Sequence, residues 1–454
     1  MIRSYDAPMT ATTLRRKQGW LTALLGPQRQ EYEAVAWSFV YFFCVLSAYY
    51  ILRPIREEMA VGSGPNTIPL LFTGTFIAML FATSIFGWVA TRYPRRSFLP
   101  WVYLFFITNI IIFWGVFAYS RANDLEFVWA GRVFFIWLGV FNLFVVSVFW
   151  SFMADIWSRE QARRLFGFIS AGGSIGALIG GAVTSYFVTE LGFQHLFPIS
   201  AALLGVAVFS IYRLRRWVER EHEADIAESA ASAKPLGGDP LGGFSHVFKS
   251  PYFSAIAIAS IIASLLGTAL YIFTAELVEA AIPDSDLRVR FFSNINILQN
   301  ALTFLGQLFV VRHVVKNFGI GVSLALLPLA SVAGFALLAM DPVLAVVAFL
   351  TVARRALGFA FSKPSTDMLY SVVTAEDKYK AKNFIDTAVY RGGDVLGVWT
   401  LDALRSLFNL GVAGVSWLMV PFAIAWAGLA IWLGRDYRRR AAVADSDTAH
   451  PTTH

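Results

Sequence analysis

Apolar residues in this chain arrive in long unbroken blocks, without the alternation of a half-buried strand or the narrow stripe of a water-soluble helix. A window of about 19 residues finds twelve of them. They lie at 34–59, 68–90, 98–119, 127–155, 165–188, 195–213, 252–279, 291–311, 319–340, 343–372, 384–401 and 412–433. Blocks of this length predict membrane-crossing helices, because lipid offers the backbone no hydrogen-bond partner and a helix satisfies its own. The longest polar interruption, 213–250, is rich in Glu, Ala, Ser, Gly and Pro and divides the blocks six and six. The expected organisation is a basic, amphipathic N-terminal segment on the inner membrane surface (1–33) and a six-helix bundle (34–212). The linker (213–250), a second six-helix bundle (251–434) and a tail (435–454) follow. The fold class is an all-α membrane protein of twelve transmembrane helices.

Composition agrees and charge adds an orientation. Hydrophobic residues make up 57% of the chain and charged residues 15%, against about 25% in soluble domains. The net charge of +7 comes from 37 Lys and Arg against 30 Asp and Glu. With both termini placed in the cytoplasm, about 26 of the basic residues fall in inside loops, about six outside, and five within spans. That asymmetry orients the protein in a bacterial inner membrane, so the positive charge calls for no nucleic-acid partner. One cysteine excludes a disulfide framework and a thiolate metal site, and the six histidines show no ligand spacing. There is no HExxH, no serine elbow, no Cys–His arrangement and no acidic magnesium cluster, so neither an enzyme nor a cofactor is expected. The glycines of "AGGSIGALIGG" (171–181) follow no strand and lack the Lys-Ser/Thr ending of a phosphate loop, which points to close helix packing.

Some charges stand where lipid-facing residues belong. A charge at the centre of a span costs about 2.5–3.5 kcal/mol on insertion scales. Yet "YYILRPIREEM" (49–59) ends the first span with Arg53, Arg56, Glu57 and Glu58. Arg53 and Arg56 share a face, Glu57 follows Arg53 by four, and Pro54 loosens the helix between them. The tenth span, "VARRALGFAFSKPSTDMLY", carries Arg354, Arg355, Lys363 and Asp367, with Lys363 and Asp367 four apart. Arg132 and Arg391 are the other cations within spans, and Asp155, Glu276 and Glu279 close the fourth and seventh. Arg53, Arg56, Arg355 and Lys363 are expected to converge on one water-accessible cavity, since isolated cations are too costly against lipid. A mostly cationic interior is best offset by an anion.

The two sets of six match each other. "AYYILRPIREEM" from Ala48 aligns with "ALYIFTAELVEA" from Ala269, and "VATRYPRRSF" from Val89 with "VVRHVVKNFG" from Val310. "AGGSIGAL" from Ala171 aligns with "RGGDVLGV" from Arg391 at an offset one residue different. Two six-span pseudo-repeats around a central site resemble the major facilitator superfamily. "GWVATRYPRR" (87–96) is similar to its loop between spans two and three, with Thr91 in place of Asp and Pro94 in place of Gly.

Further segments resemble the nucleoside triphosphate/diphosphate exchangers, the ATP/ADP antiporters of plastids and intracellular bacteria. Leu52, Arg53, Arg56 and Glu57 stand for their Leu-Arg-x-x-Lys-Asp. "FWSFMADIWSREQARRLFG" supplies the fourth-span Phe149, Trp150, Phe152 and Asp155 with the pair Arg163 and Arg164. Leu277-Val278-Glu279 matches the seventh-span motif, and Lys380, Lys382 and Asp386 match Lys-x-Lys-x-x-x-Asp. The resemblance implies a nucleotide-handling role for Arg56, Asp155 and Glu279. It does not reach span ten, where Thr366, Asp367 and Met368 replace Lys-Glu-Met. The leading expectation is a monomeric exchanger of a small-molecule anion, nucleotides first, with other phosphorylated or carboxylated metabolites open. A proton-coupled symporter or exporter using Asp155, Glu276 or Glu279 is the alternative, and a non-transporting receptor or assembly factor the third.

Overall fold

The computed structural model describes residues 28, 30–92, 95–221, 250–373, 381–382 and 384–449. The expected N-terminal surface helix, residues 222–249 of the linker, Tyr93 and Pro94 of the loop motif, and Lys380 lie outside the described residues. Among the described residues, thirteen α-helices follow in chain order. They are α1 Tyr32–Gly62, α2 Ile68–Arg92, α3 Arg95–Ala122, α4 Val128–Ile156, α5 Arg159–Leu191 and α6 Leu196–Glu221. After the linker come α7 Pro251–Ala281, α8 Ser285–Leu305, α9 Val311–Met340, α10 Leu344–Leu357, α11 Lys363–Leu369, α12 Tyr390–Phe408 and α13 Val412–Ala449. Short π-helical turns join α8 to α9 (Gly306–Val310) and α10 to α11 (Gly358–Ser362), and a third leads into α12 (Ile385–Val389).

Among the described residues, ten segments are long and apolar enough to cross a membrane. The two remaining expected spans, eight and eleven, correspond to α8 and α12, which are helical but too polar to qualify on their own. Each packs one face on other helices: α8 on α5, α1 and α10, and α12 on α7 and α2. Buried amide and charged side chains on α8 explain its low hydropathy, because neighbouring helices rather than lipid solvate them. Helix continues beyond two of the apolar blocks. Residues 213–221 continue α6 as helix, and α13 runs past 434 to Ala449, because Arg-rich turns beyond the apolar block remain good helix formers.

Helix ends follow local chemistry. Ser158 and Gln161 form a reciprocal capping box on α5, and the Asp284 carboxylate accepts from the Leu287 N–H to start α8. Gly319, at φ +81°, breaks the helical path inside α9, where the chain turns between the eighth and ninth expected spans.

Apolar side chains gather in separate cores, one built mainly from α1 and α3–α6 and two from the helices after the linker. The glycines of α5 do what close packing requires. A Cβ at Gly176 would lie 2.3 Å from the Phe43 carbonyl oxygen, and one at Gly180 2.5 Å from that of Ser47. Gly393 and Gly397 of α12 lie against α7 at Ser264 and Leu265 in the same manner. This pairing re-registers the third repeat match: Gly172 answers Gly393 and Gly176 answers Gly397, at the offset the other two matches already share.

Contacts between the two sets gather at the end of the bundle opposite the start of α1. Arg121 holds Asp286 through two bonds of 3.1 and 2.5 Å, and Asp286 also accepts from the Phe193 N–H at 3.0 Å. Arg288 reaches buried Glu58 at 3.5 Å. Ser293 donates to the Gly181 carbonyl at 2.7 Å, and Trp399 to Thr73 at 3.0 Å.

Candidate functional site

Behind this seal lies a cleft. It is lined by Glu57 of α1, Gly267, Tyr271 and Thr274 of α7, Phe292 and Ile295 of α8, and Thr351, Arg354 and Arg355 of α10. Four helices from distant parts of the chain thus supply one wall each, with charge on two of them.

Glu57 is the hinge of the arrangement. It is 4% exposed, with Arg56 at 3.7 Å and Arg53 at 4.0 Å on its own helix, and it faces the cleft that Arg354 and Arg355 line from across. Arg53 donates to the Tyr50 hydroxyl at 3.2 Å. Arg56 donates to the Phe135 carbonyl at 3.0 Å and lies 3.6 Å over that ring, a cation–π contact in a dry setting. Arg354 donates to the Ala263 carbonyl and lies so close to Gly267 that a Cβ there would meet its guanidinium at 2.9 Å. The glycine is what lets the guanidinium approach α7. Arg355 reaches the Asn296 amide oxygen at 3.5 Å. Arg53, Arg56 and Arg355 around one carboxylate, with Arg354 beside them on α10, leave this region strongly cationic.

Lys363 does not join them. Eight residues of helical rise put it roughly 12 Å along the axis from Arg355, whatever face it shares. There it pairs with Asp367 at 3.4 Å, as its spacing predicts, and with Asp386 at 3.1 Å. Lys382 pairs with the same two acids, which closes a separate, neutral cluster of two lysines and two aspartates. Arg391 is 47% exposed and sits 4.0 Å from Asp394. Asp155 and Glu279 are exposed near the ends of α4 and α7, and neither lines the cleft. Glu276 is held by Arg405 through both carboxylate oxygens. Arg164 binds buried Glu31 at 3.0 Å, which ties α5 to the start of α1. Reading the sequence missed Tyr271 and Asn296 at the cleft, and Asp394, which accepts from Ser264. The signal for Asn296 was present in "SNINILQN" (293–300), too polar for a lipid-facing stretch.

The model of the major facilitator superfamily matches residues 37–397. The chain belongs to that superfamily. It is a multi-pass membrane transporter of facilitator type, in keeping with the helical architecture. The resemblance to nucleotide exchangers returns as similarity along the whole chain. The ADP,ATP carrier protein 2 of Chlamydia pneumoniae is 22% identical over 95% of this chain and 94% of its own length. The chloroplastic ADP,ATP carrier protein 2 of Arabidopsis thaliana is 22% identical over 86% of this chain and 72% of its own. Among solved structures, the nucleoside transporter NupG superposes with a TM-score of 0.55 at 16% identity, covering 91% of this chain and 99% of NupG. A bacterial homologue of the iron transporter ferroportin reaches 0.58 at 14%, covering 90% and 98%. These two share the facilitator fold.

Proposed function

We propose that this facilitator exchanges anionic, phosphorylated metabolites, nucleotides foremost, by alternating access across a bacterial inner membrane with both termini in the cytoplasm. The observation that carries the reading is the pair Arg53 and Arg56 beside Glu57, facing Arg354 and Arg355 across a cleft between helices of both sets. Similarity to ADP,ATP carriers supports the substrate class. The twelve-span arrangement in two bundles, 34–212 and 251–434 by the sequence, supplies two bodies that rock about the cleft. The ion pairs of Arg121 and Arg288 close the far side, so in this reading the cleft is reached from the cytoplasm.

Mechanism follows from electrostatics. Closing an empty cleft would desolvate several uncompensated guanidinium groups, at several kcal/mol per ion. A bound polyanion removes that penalty through charge-assisted, bidentate contacts, and the loaded carrier reorients. Exchange is then obligatory. Purified protein in vesicles should take up labelled ADP only when unlabelled nucleotide is inside. Robust accumulation into empty vesicles under an imposed proton gradient would instead establish the symport reading. Asp394, a span carboxylate held by Ser264 and near Arg391, is the acid that reading would use.

A further inference from the structure

We propose that the amides of α8, Asn296, Gln299 and Asn300, which continue the cleft-lining face of Phe292 and Ile295, read the uncharged, hydrogen-bonding part of a phosphorylated substrate. For a nucleotide that part is the base or the sugar. The proposal rests on the anion-exchange reading and adds the second half of the site to it.

Three observations carry it. First, the residues fall on one stripe. Phe292 and Ile295 line the cleft, and Asn296, Gln299 and Asn300 continue the same face at helical spacing, followed by Thr303 one turn on. Second, the stripe is dry and polar. Asn296 and Gln299 are each 1% exposed, in a span where apolar residues would cost nothing to bury. Third, its hydrogen-bonding capacity is only half used. Asn296 accepts from Arg355 and Asn300 from the Tyr50 hydroxyl at 3.4 Å. The amide nitrogens of both, the Gln299 amide oxygen and the Thr303 hydroxyl have no partner. A further buried hydroxyl beside the cleft, that of Thr268, is likewise unpartnered.

The chemistry of the two walls is complementary. Guanidinium groups recognise phosphate by charge and by paired donors. They cannot accept a hydrogen bond, so they cannot tell a nucleoside from any other phosphate ester. Carboxamides offer a donor and an acceptor on one rigid plane, the pairing that a heterocyclic edge presents in return. A site built to hydrogen-bond its substrate also rejects analogues that leave its polar groups unpaired. Asn296 joins the walls, because its oxygen already holds Arg355.

The test compares two probes with the same phosphate chemistry, ADP and inorganic pyrophosphate, titrated into purified full-length protein by calorimetry. Wild type should bind ADP more tightly than pyrophosphate. Gln299→Leu should weaken ADP about tenfold and leave pyrophosphate unchanged, as the loss of one buried hydrogen bond implies. Asn300→Ala, read in parallel, keeps the test open if the leucine variant misfolds. Arg355→Ala should weaken both probes together. Equal losses for both probes in the amide variants would reduce the stripe to a brace for the arginines and overturn the proposal. So would unchanged binding of both, which is the outcome for mere interhelical packing. A wild type that binds the two probes alike overturns the α8 assignment alone, whereas one that binds neither removes the nucleotide reading and this one with it.

Discussion

Glu57 and Arg355 face each other across the cleft with opposite expected effects on a bound anion. Arg355 offers donors to a phosphate, and a hydrogen bond to a charged group contributes about 1.5–3 kcal/mol. Arg355→Ala should therefore weaken nucleotide binding by roughly ten- to a hundredfold. Glu57 competes with the anion for Arg53 and Arg56, at 4.0 and 3.7 Å. Glu57→Gln should tighten binding and slow exchange, since an emptied cleft would then hold more uncompensated charge. Calorimetry beside vesicle flux reads both effects. Weakened binding in Glu57→Gln would make the carboxylate a scaffold for the arginines instead of a counter-charge.

At the scale of elements, glycine stripes decide how the spans meet. The α1–α5 contact leaves no room for a side chain at Gly176, whose Cβ would lie 2.3 Å from a backbone oxygen. Gly167, on the same helix, has open space around its Cβ position. Gly176→Ala should destabilise the protein by about 1–3 kcal/mol through overpacking, whereas Gly167→Ala should be neutral or slightly stabilising. Thermal melting in detergent compares them directly, and equal behaviour would mean the α1–α5 seam yields easily. The spacing of these glycines was visible in the sequence. Their correct partners in the second set were not, because a one-residue shift leaves the local match nearly as good and only contact with α7 breaks the tie.

For the whole molecule, the consequential feature is the one-sided seal. Asp286 takes two donors from Arg121 and one from the Phe193 backbone, and so joins α3, the α5–α6 turn and α8 at one point. Asp286→Asn should let the far side open more often. In a Cys44→Ala background, a cysteine at Ile295, within the cleft, should then react several-fold faster with an impermeant thiol reagent supplied from that side. Unchanged labelling would assign the seal to the packing of α5 on α8 instead. A charge swap, Arg121→Asp with Asp286→Arg, should restore the slow rate.

Length and hydropathy alone determined that the chain is a bundle of membrane helices, and charge alone marked the residues that lipid could not hold. Both follow from local physics: each span must satisfy its own backbone, and each charge carries its own desolvation cost wherever the neighbours lie. The pairs four apart, Arg53 with Glu57 and Lys363 with Asp367, were legible for the same reason, since one helix turn fixes both partners. Which charges share a site was decided by the tertiary structure. Arg355 faces Glu57 only because α7 and α8 each pack on both α1 and α10 and set them on opposite sides of one cleft, about 300 positions apart in the chain. Lys363 shares a helix axis with Arg355 yet is neutralised by Asp386 from another helix. α8 and α12, too polar to span lipid by composition, are held in the bundle by one face each, α8 on α5, α1 and α10 and α12 on α7 and α2. Direction, height along an axis and the identity of a neighbour are properties of packing, and a one-dimensional pattern carries none of them.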